Sequence, residues 1–392
     1  MRFRSRAEFF LSPDFIFPTF ACALFFFVFH AFLLLPLRIE DLGGNPSDSG
    51  FIMGISGVSM LVFTPLSGVL ADRYGRKMFI IAGFFLLFLV CAGFVFINSL
   101  GWEIYALRML QGAAFSLFFT SAGAVITEIA PEGKRVQAMG IYGMFTIIGY
   151  AVAPYVGKII ISSDGFAGLF TFISVVSLAG VFVSFFVRDR FSRRGGEKGG
   201  WKILPPFSKP LVVGAVMLFI SGWVFMAEFS FVSLSSLSVG VEDFHLFFVC
   251  FTAAVLFVRI FLGWIPDKYG IHRVCPPFLF VAFLSVVILA FSRSAFSVAI
   301  SGALFGTAHG FVYPSLYLLA LEKAGDGTRA KVFAVCSASF TFGGMLGTFL
   351  SGGIAHTFGY FNMYAALAVV ALAGFIFFAF YALFRESKLN AV

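Results

Sequence analysis

Gly68-Val69-Leu70-Ala71-Asp72-Arg73-Tyr74-Gly75 recurs 195 residues later as Gly263-Trp264-Ile265-Pro266-Asp267-Lys268-Tyr269-Gly270. Working outward at an offset of 194–195, Gly112 falls on Gly306, Glu128 and Arg135 on Glu322 and Arg329, and Gly149 on Gly343. Each pair lies in or just after the apolar run of the same ordinal number in its half. An ordered series at one offset marks a duplicated structural unit. Two parallel copies imply a pseudo-two-fold axis along a membrane normal, with a site where they meet.

The composition says why a membrane is the setting. Of 392 residues, 60% are hydrophobic, 12% are charged and 59 are Phe. Soluble chains carry about 45–50% apolar and about 25% charged residues. A water-soluble fold of this size lacks the interior to hide so much apolar surface. A cytosolic enzyme, a nucleic-acid-binding protein and a disordered chain are thereby excluded. The net charge of +8 sits between the apolar runs and at the termini, the pattern of a topology signal.

A helix needs about 20 apolar residues to cross about 30 Å of hydrocarbon. Twelve runs qualify: 15–37, 50–71, 78–98, 104–127, 138–161, 166–187, 211–237, 244–264, 274–292, 295–320, 332–354 and 359–384. The expected fold is an all-α membrane protein, twelve transmembrane helices in two pseudo-symmetric six-helix bundles. Residues 1–187 form the first bundle and 210–392 the second, joined by a basic, Gly-rich linker over 188–209. With the N-terminus inside, 22 Lys and Arg residues fall inside and 3 outside, so both termini are expected on the cytoplasmic side of an inner membrane. The first run is 23 residues long with no cleavage site after it, and is expected to be retained. No Gly-Lys-Ser/Thr phosphate loop occurs, so no ATPase module is expected. Cys22, Cys91, Cys250, Cys275 and Cys336 are scattered within apolar runs and suggest neither disulfides nor a metal site.

These residues resemble the major facilitator superfamily over the whole chain. The resemblance rests on the loop Gly68–Lys77, on Arg108-Met-Leu-Gln111-Gly112 in span four, and on Gly140 … Gly149-Tyr-Ala-Val-Ala153-Pro154-Tyr-Val-Gly157 in span five. The last is similar to the family's antiporter motif, with Ala153 where Gly usually precedes Pro. Arg259 to Gly270 with Gly306, His309, Gly310, Tyr313 and Pro314 is similar to arabinose-efflux-like and metallophore-exporter-like members. The resemblance implies a small-molecule transporter working by alternating access, with protons as coupling partner, no cofactor and a monomeric state. Export is the direction that the branch implies. Proton-driven uptake and facilitated diffusion are alternatives on the same fold. A membrane sensor or integral enzyme fits poorly, because the spans hold no nucleophile cluster, metal cluster or paired carboxylates.

The resemblance also assigns roles. Gly68, Asp72, Arg76 and Glu128 would form a conformational latch, Gly68 allowing close helix contact and Arg76 pairing with Glu128. Asp267, Glu322 and Arg259 belong to the matching latch of the second half. There Ile271 replaces Arg76, so Glu322 is expected to use Arg273, while Arg259 is expected to pair with Asp267 or a lipid. Gly149, Pro154, Gly157, Gly306 and Gly310 are packing or hinge positions, because small residues every four positions leave a smooth stripe.

Ionisable groups inside spans are costly and point to sites. Arg108, Glu228 and Arg259 are such groups, with His30 and His309 in spans one and ten and Asp14 at the mouth of span one. In the resembled fold spans one, four, seven and ten line the cavity. Glu228, Arg108, His30, His309 and Asp14 are therefore coupling candidates, and Gln111 and Tyr313 cavity contacts. Arg108 matches the arginine that the family links to proton coupling. Most of the Phe excess is expected to face lipid.

Overall fold

The computed structural model describes residues 9–131, 134–189, 207–325 and 328–389, the side chains of Val136, Ala330 and residues 386–389 apart. Among these, ten helices are long and apolar enough to cross a membrane. They are α1 (Pro13–Asp41), α2 (Pro46–Tyr74), α3 (Arg76–Val95), α4 (Trp102–Ile129), α5 (Arg135–Ser184), α6 (Lys209–Ser238), α7 (His245–Leu262), α8 (Ile271–Ala290), α9 (Ala295–Leu321) and α10 (Arg329–Leu389). Most of the expected linker, with Arg193 and Arg194, lies outside the described residues.

Two helices are too long for one crossing. A straight helix of 50 residues, the length of α5, would run about 75 Å. Both long helices break at a glycine with positive φ, Gly165 (66°) in α5 and Gly359 (83°) in α10. The chain reverses at each. Leu169 approaches within 3.5 Å of where a Cβ on Gly157 would stand. Gly343 packs on Phe219 and Gly374 on the adjoining Ile220, though 31 residues of straight helix would part them by about 45 Å. Ten helices among the described residues thus stand where twelve spans were expected, and two of the ten, α5 and α10, are broken at a glycine.

All six positive-φ glycines of the described chain pair between the halves: Gly43 with Gly240, Gly75 with Gly270, and Gly165 with Gly359. A left-handed backbone costs other L-residues roughly 1–2 kcal/mol, which explains why glycine ends the repeated loop motif in both copies.

The chain divides into two compact units, residues 1–38 with 55–198, and 39–54 with 199–392. Residues 39–54 group with the second unit because the first turns of α2 pack on α10: a Cβ on Gly50 would stand 2.7 Å from the carbonyl of Thr348. Inside the units the helix pairs repeat. α1 packs on α5 as α6 does on α10, α3 on α4 as α8 on α9, and α3 on α5 as α8 on α10.

The pairing reaches single atoms. A Cβ on Gly112 would strike the carbonyl of Ser56, and one on Gly306 that of Phe251. One on Gly149 would stand 3.0 Å from the carbonyl of Phe26, and Gly343 covers that of Phe219 in the same way. The small-residue stripes thus have named partners: α7 for Gly302, Gly306 and Gly310, and α1 for Gly149 and Gly157. Gly68 is different. A Cβ there would meet only Thr120 Cγ2, at an ordinary 3.7 Å, so the expected tight crossing is not made at this glycine.

Phe serves packing as much as lipid contact. Phe25 stacks on Phe118 at 3.9 Å in the first unit, and Phe225, Phe229, Phe251 and Phe305 interlock in the second. Phe85, Phe172, Phe261 and Phe380 face outward.

Candidate functional site

In the first unit Arg108 is buried on α4. It donates to Gln111 Oε1 one turn on and to Ser56 Oγ of α2 at 3.1 Å, with its guanidinium 5.9 Å from the Phe32 ring centroid. Gln111 Nε2 is enclosed with no acceptor. His30 is buried on α1, its ring stacked 3.6 Å from that of Tyr150 and its Nδ1 without a partner. Gly149 makes this possible, since a Cβ there would come within 2.6 Å of that nitrogen. His30 therefore belongs to the α1–α5 seam. Pro154 is buried further along the same helix.

At the end of the unit that carries the repeated loop, Arg76 pairs with Glu128 and, at 3.1 Å, with Asp72. The expected Arg76–Glu128 pair is present, and Asp72 joins it through Arg76. Two further contacts had no sequence signal. Asp189 Oδ2 accepts the backbone N–H of Arg76 (2.6 Å) and Lys77 (3.1 Å), so an acid beyond α5 caps the start of α3. Asp14 pairs with Arg188 at 3.3 Å. Asp14, Lys77, Arg188 and Asp189 line a cleft of about 680 Å³.

In the second unit Glu228 has no solvent exposure, and neither carboxyl oxygen has a hydrogen-bond partner. Ser285 of α8 and Tyr364 of α10 stand beside it. Ser285 is linked to Ser301 of α9 at 2.9 Å, and Tyr364 to Ser235 of α6 at 2.9 Å. Glu228 thus points into the interior of its own unit, among helices eight to ten. Serines are too common for this cluster to be read from the chain.

His309 and Tyr313 lie one turn apart on α9, rings stacked at 4.9 Å. Tyr313 donates to the Tyr317 hydroxyl (3.3 Å), which is bonded to Ser337 (3.0 Å). Arg259 acts electrostatically on both His309 and Tyr313, and no ion pair joins it to Asp267. Of the two partners expected for Arg259, Asp267 is corrected: Arg259 lies within the π-turn itself, and Asp267 sits on the short helix Ile265–Tyr269 that follows it. The expected Glu322–Arg273 pair is also corrected. Arg385, at the end of α10, donates to both oxygens of Glu322, one bond measuring 2.7 Å. That guanidinium holds the Glu322 carboxyl below the usual carboxylate range. Ile271 leaves Glu322 needing a cation at its end of the unit, a vacancy that does not say which residue fills it.

Repeated units of membrane-crossing helices, with cationic and acidic side chains enclosed among apolar rings, define a multi-pass membrane transport protein. The chain belongs to the major facilitator superfamily, whose family model matches residues 16–335 and again 211–391. It is a secondary transporter. It is similar to the multi-drug resistance efflux pump PmrA of Streptococcus pneumoniae, with 26% identity over 86% of this chain and 87% of that one. It is also 26% identical to a staphylopine export protein of Staphylococcus aureus, covering 89% and 91% of the two chains. Among solved structures the nucleoside transporter NupG matches with a TM-score of 0.78 at 13% identity, over 93% of this chain and 98% of the other, a likeness of fold.

Proposed function

We propose that this protein exports a small molecule across the inner membrane, as a monomer with both termini in the cytoplasm, by exchange for protons through Glu228. The direction draws on relatives named as efflux and export proteins. The orientation draws on the 22-to-3 division of Lys and Arg. No cofactor is needed, because the proton gradient supplies the work.

One observation carries the coupling role: an acid with no exposure, in a membrane helix, with neither oxygen hydrogen-bonded. An ionised carboxylate in that setting would be uncompensated at a cost of several kcal/mol. The packing therefore suits the neutral acid, and a proton leaves only when the helices around Ser285 and Tyr364 rearrange. This links proton release to a change of state, as exchange requires.

The test uses inside-out proteoliposomes with an acid interior and the fluorescent probes fluorescein and ethidium. Glu228→Gln, which mimics the neutral acid, should fold normally yet cut gradient-driven accumulation at least tenfold. Undiminished accumulation would remove Glu228 from coupling. The sign of proton movement on probe addition separates export from uptake.

A further inference from the structure

α7 is α-helical from His245 to Phe257 and then makes a π-turn over Val258–Leu262, the one π segment among the described residues. A π-turn inserts a residue and turns everything after it to a new face, and such turns gather at functional sites. Here the sequence accommodates it. Gly263 follows, where a Cβ would stand 2.9 Å from the carbonyl oxygen of Arg259. Val258 packs against Gly310 of α9, its Cβ 2.9 Å from where a Cβ on Gly310 would be. This close contact of α7 with α9 carries Arg259 beside His309 and Tyr313.

What surrounds the guanidinium is unusual for a cation in a membrane helix. Arg259 makes no hydrogen bond or ion pair with any described residue, and its Nε is fully enclosed. The charged and titratable groups acting on it are an imidazole and a phenol, neither an anion in its ordinary state. Arg259 is half-buried: its Nε is enclosed while the rest of the fork stays accessible and has no acceptor among the described residues, and that planar fork matches a carboxylate or similar oxyanion. The walls beside it are aromatic. Phe225 lies 4.9 Å from the His309 ring and Phe340 5.2 Å from Tyr313.

We propose that Arg259, His309 and Tyr313 form an anion-binding subsite in the second unit, which takes the carboxylate or sulfonate end of an aromatic cargo. The π-turn presents the arginine, the rings receive the aromatic body, and the Tyr313–Tyr317–Ser337 hydroxyl chain fixes the edge of the pocket. This rests on the transport reading and names its substrate class.

The experiment is calorimetric titration of the full-length protein in phosphatidylcholine nanodiscs with 1-naphthoate and with 1-naphthamide, its uncharged analogue. The wild type should bind naphthoate at least tenfold more tightly than the amide. Arg259→Gln should weaken naphthoate at least tenfold and leave the amide within twofold. Arg259→Lys, which keeps the charge without the fork, should fall between them. Without ligand, Arg259→Gln should melt no lower than the wild type, because the substitution breaks no hydrogen bond or ion pair with a described residue. A purely structural arginine would instead lower the melting temperature. Should Arg259→Gln fail to fold, that outcome counts against the proposal, and Arg259→Lys with Tyr313→Phe tests the subsite in folded protein. Absent or charge-independent binding of naphthoate to the wild type would overturn the proposal. So would loss of naphthoate binding when phosphatidylglycerol replaces phosphatidylcholine, which would assign Arg259 to a lipid phosphate. Binding is read without a gradient, so lost proton-driven flux with intact naphthoate binding counts against the coupling reading alone.

Discussion

Arg385 grips Glu322 with both terminal nitrogens, and so stands in for an arginine that the second half of the chain lacks. In the first unit the matching acid, Glu128, is held by Arg76 from the start of α3. The equivalent of Arg76 is Ile271, at the start of α8. The second unit keeps the ion pair and draws its cation from the other end of the bundle's sequence, the last turns of α10.

Both partners are partly exposed, so the pair stabilises modestly, by about 0.2–1 kcal/mol in a double-mutant cycle. Arg385→Ala should lower the melting temperature slightly, and the exchanged pair Glu322→Arg with Arg385→Glu should restore most of it. The sign with pH follows from the depressed Glu322 carboxyl. Its contribution is present above the ordinary carboxylate range and is lost as pH falls through the folded value. Melting between about pH 5 and pH 3 should therefore drop more in wild type than in Glu322→Gln. Equal drops would remove the pair from the stability of the unit.

Gly149 and Gly343 should be intolerant of a single methyl. At Gly149 the methyl would press on the Phe26 carbonyl and His30 Nδ1, and at Gly343 on the Phe219 backbone. Neither backbone can swing aside as a side chain does. Overpacking of this kind costs about 1–3 kcal/mol. Gly149→Ala and Gly343→Ala should each lower the melting temperature in detergent, while Gly140→Ala, with nothing within 4 Å, should not. Indistinguishable melting of all three would show that the seams are looser than drawn.

The fold was legible because lipid and repetition leave strong traces. Apolar runs near 20 residues locate the helices, and one offset relates Gly112 to Gly306 and Gly149 to Gly343, contacts that the structure duplicates. The Arg76–Glu128 pair was anticipated too, through the family resemblance that the loop motif carries. Arg385, Asp189 and the Ser285–Ser301 link were not. Each depends on which way an end or a helix face turns in three dimensions, and no local pattern reports that. Asp267 was one of two partners expected for Arg259, and the π-turn that holds Arg259 leaves no trace in the residue pattern.

Asp189 is expected to act as a remote N-cap for α3. Its carboxylate takes two N–H groups that the helix start leaves unpaired, and an anion there also meets the positive end of the helix dipole. Asp189→Ala should destabilise by about 0.5–2 kcal/mol, the usual range for a lost cap, and Asp189→Asn by less. Hydrogen exchange should speed up at Arg76 and Lys77 first. Unchanged exchange at those two amides would show that water replaces the carboxylate without loss.

Gln111→Glu is the case in which stability and transport should part. Gln111 Oε1 already accepts from Arg108, while its Nε2 is enclosed without an acceptor. An orphaned buried donor costs about 1–3 kcal/mol. Glutamate replaces that nitrogen with a second oxygen, which removes the orphan and offers Arg108 a bidentate carboxylate. Against this stands the desolvation of a new anion, reduced here because its counter-ion is already in place and hydrogen-bonded to Ser56. The substitution should therefore raise the melting temperature. It should also slow transport, since an arginine neutralised by an internal partner no longer answers to a proton or a cargo. A lower melting temperature would mean that the desolvation term dominates and that the unpaired amide is better satisfied than its geometry indicates.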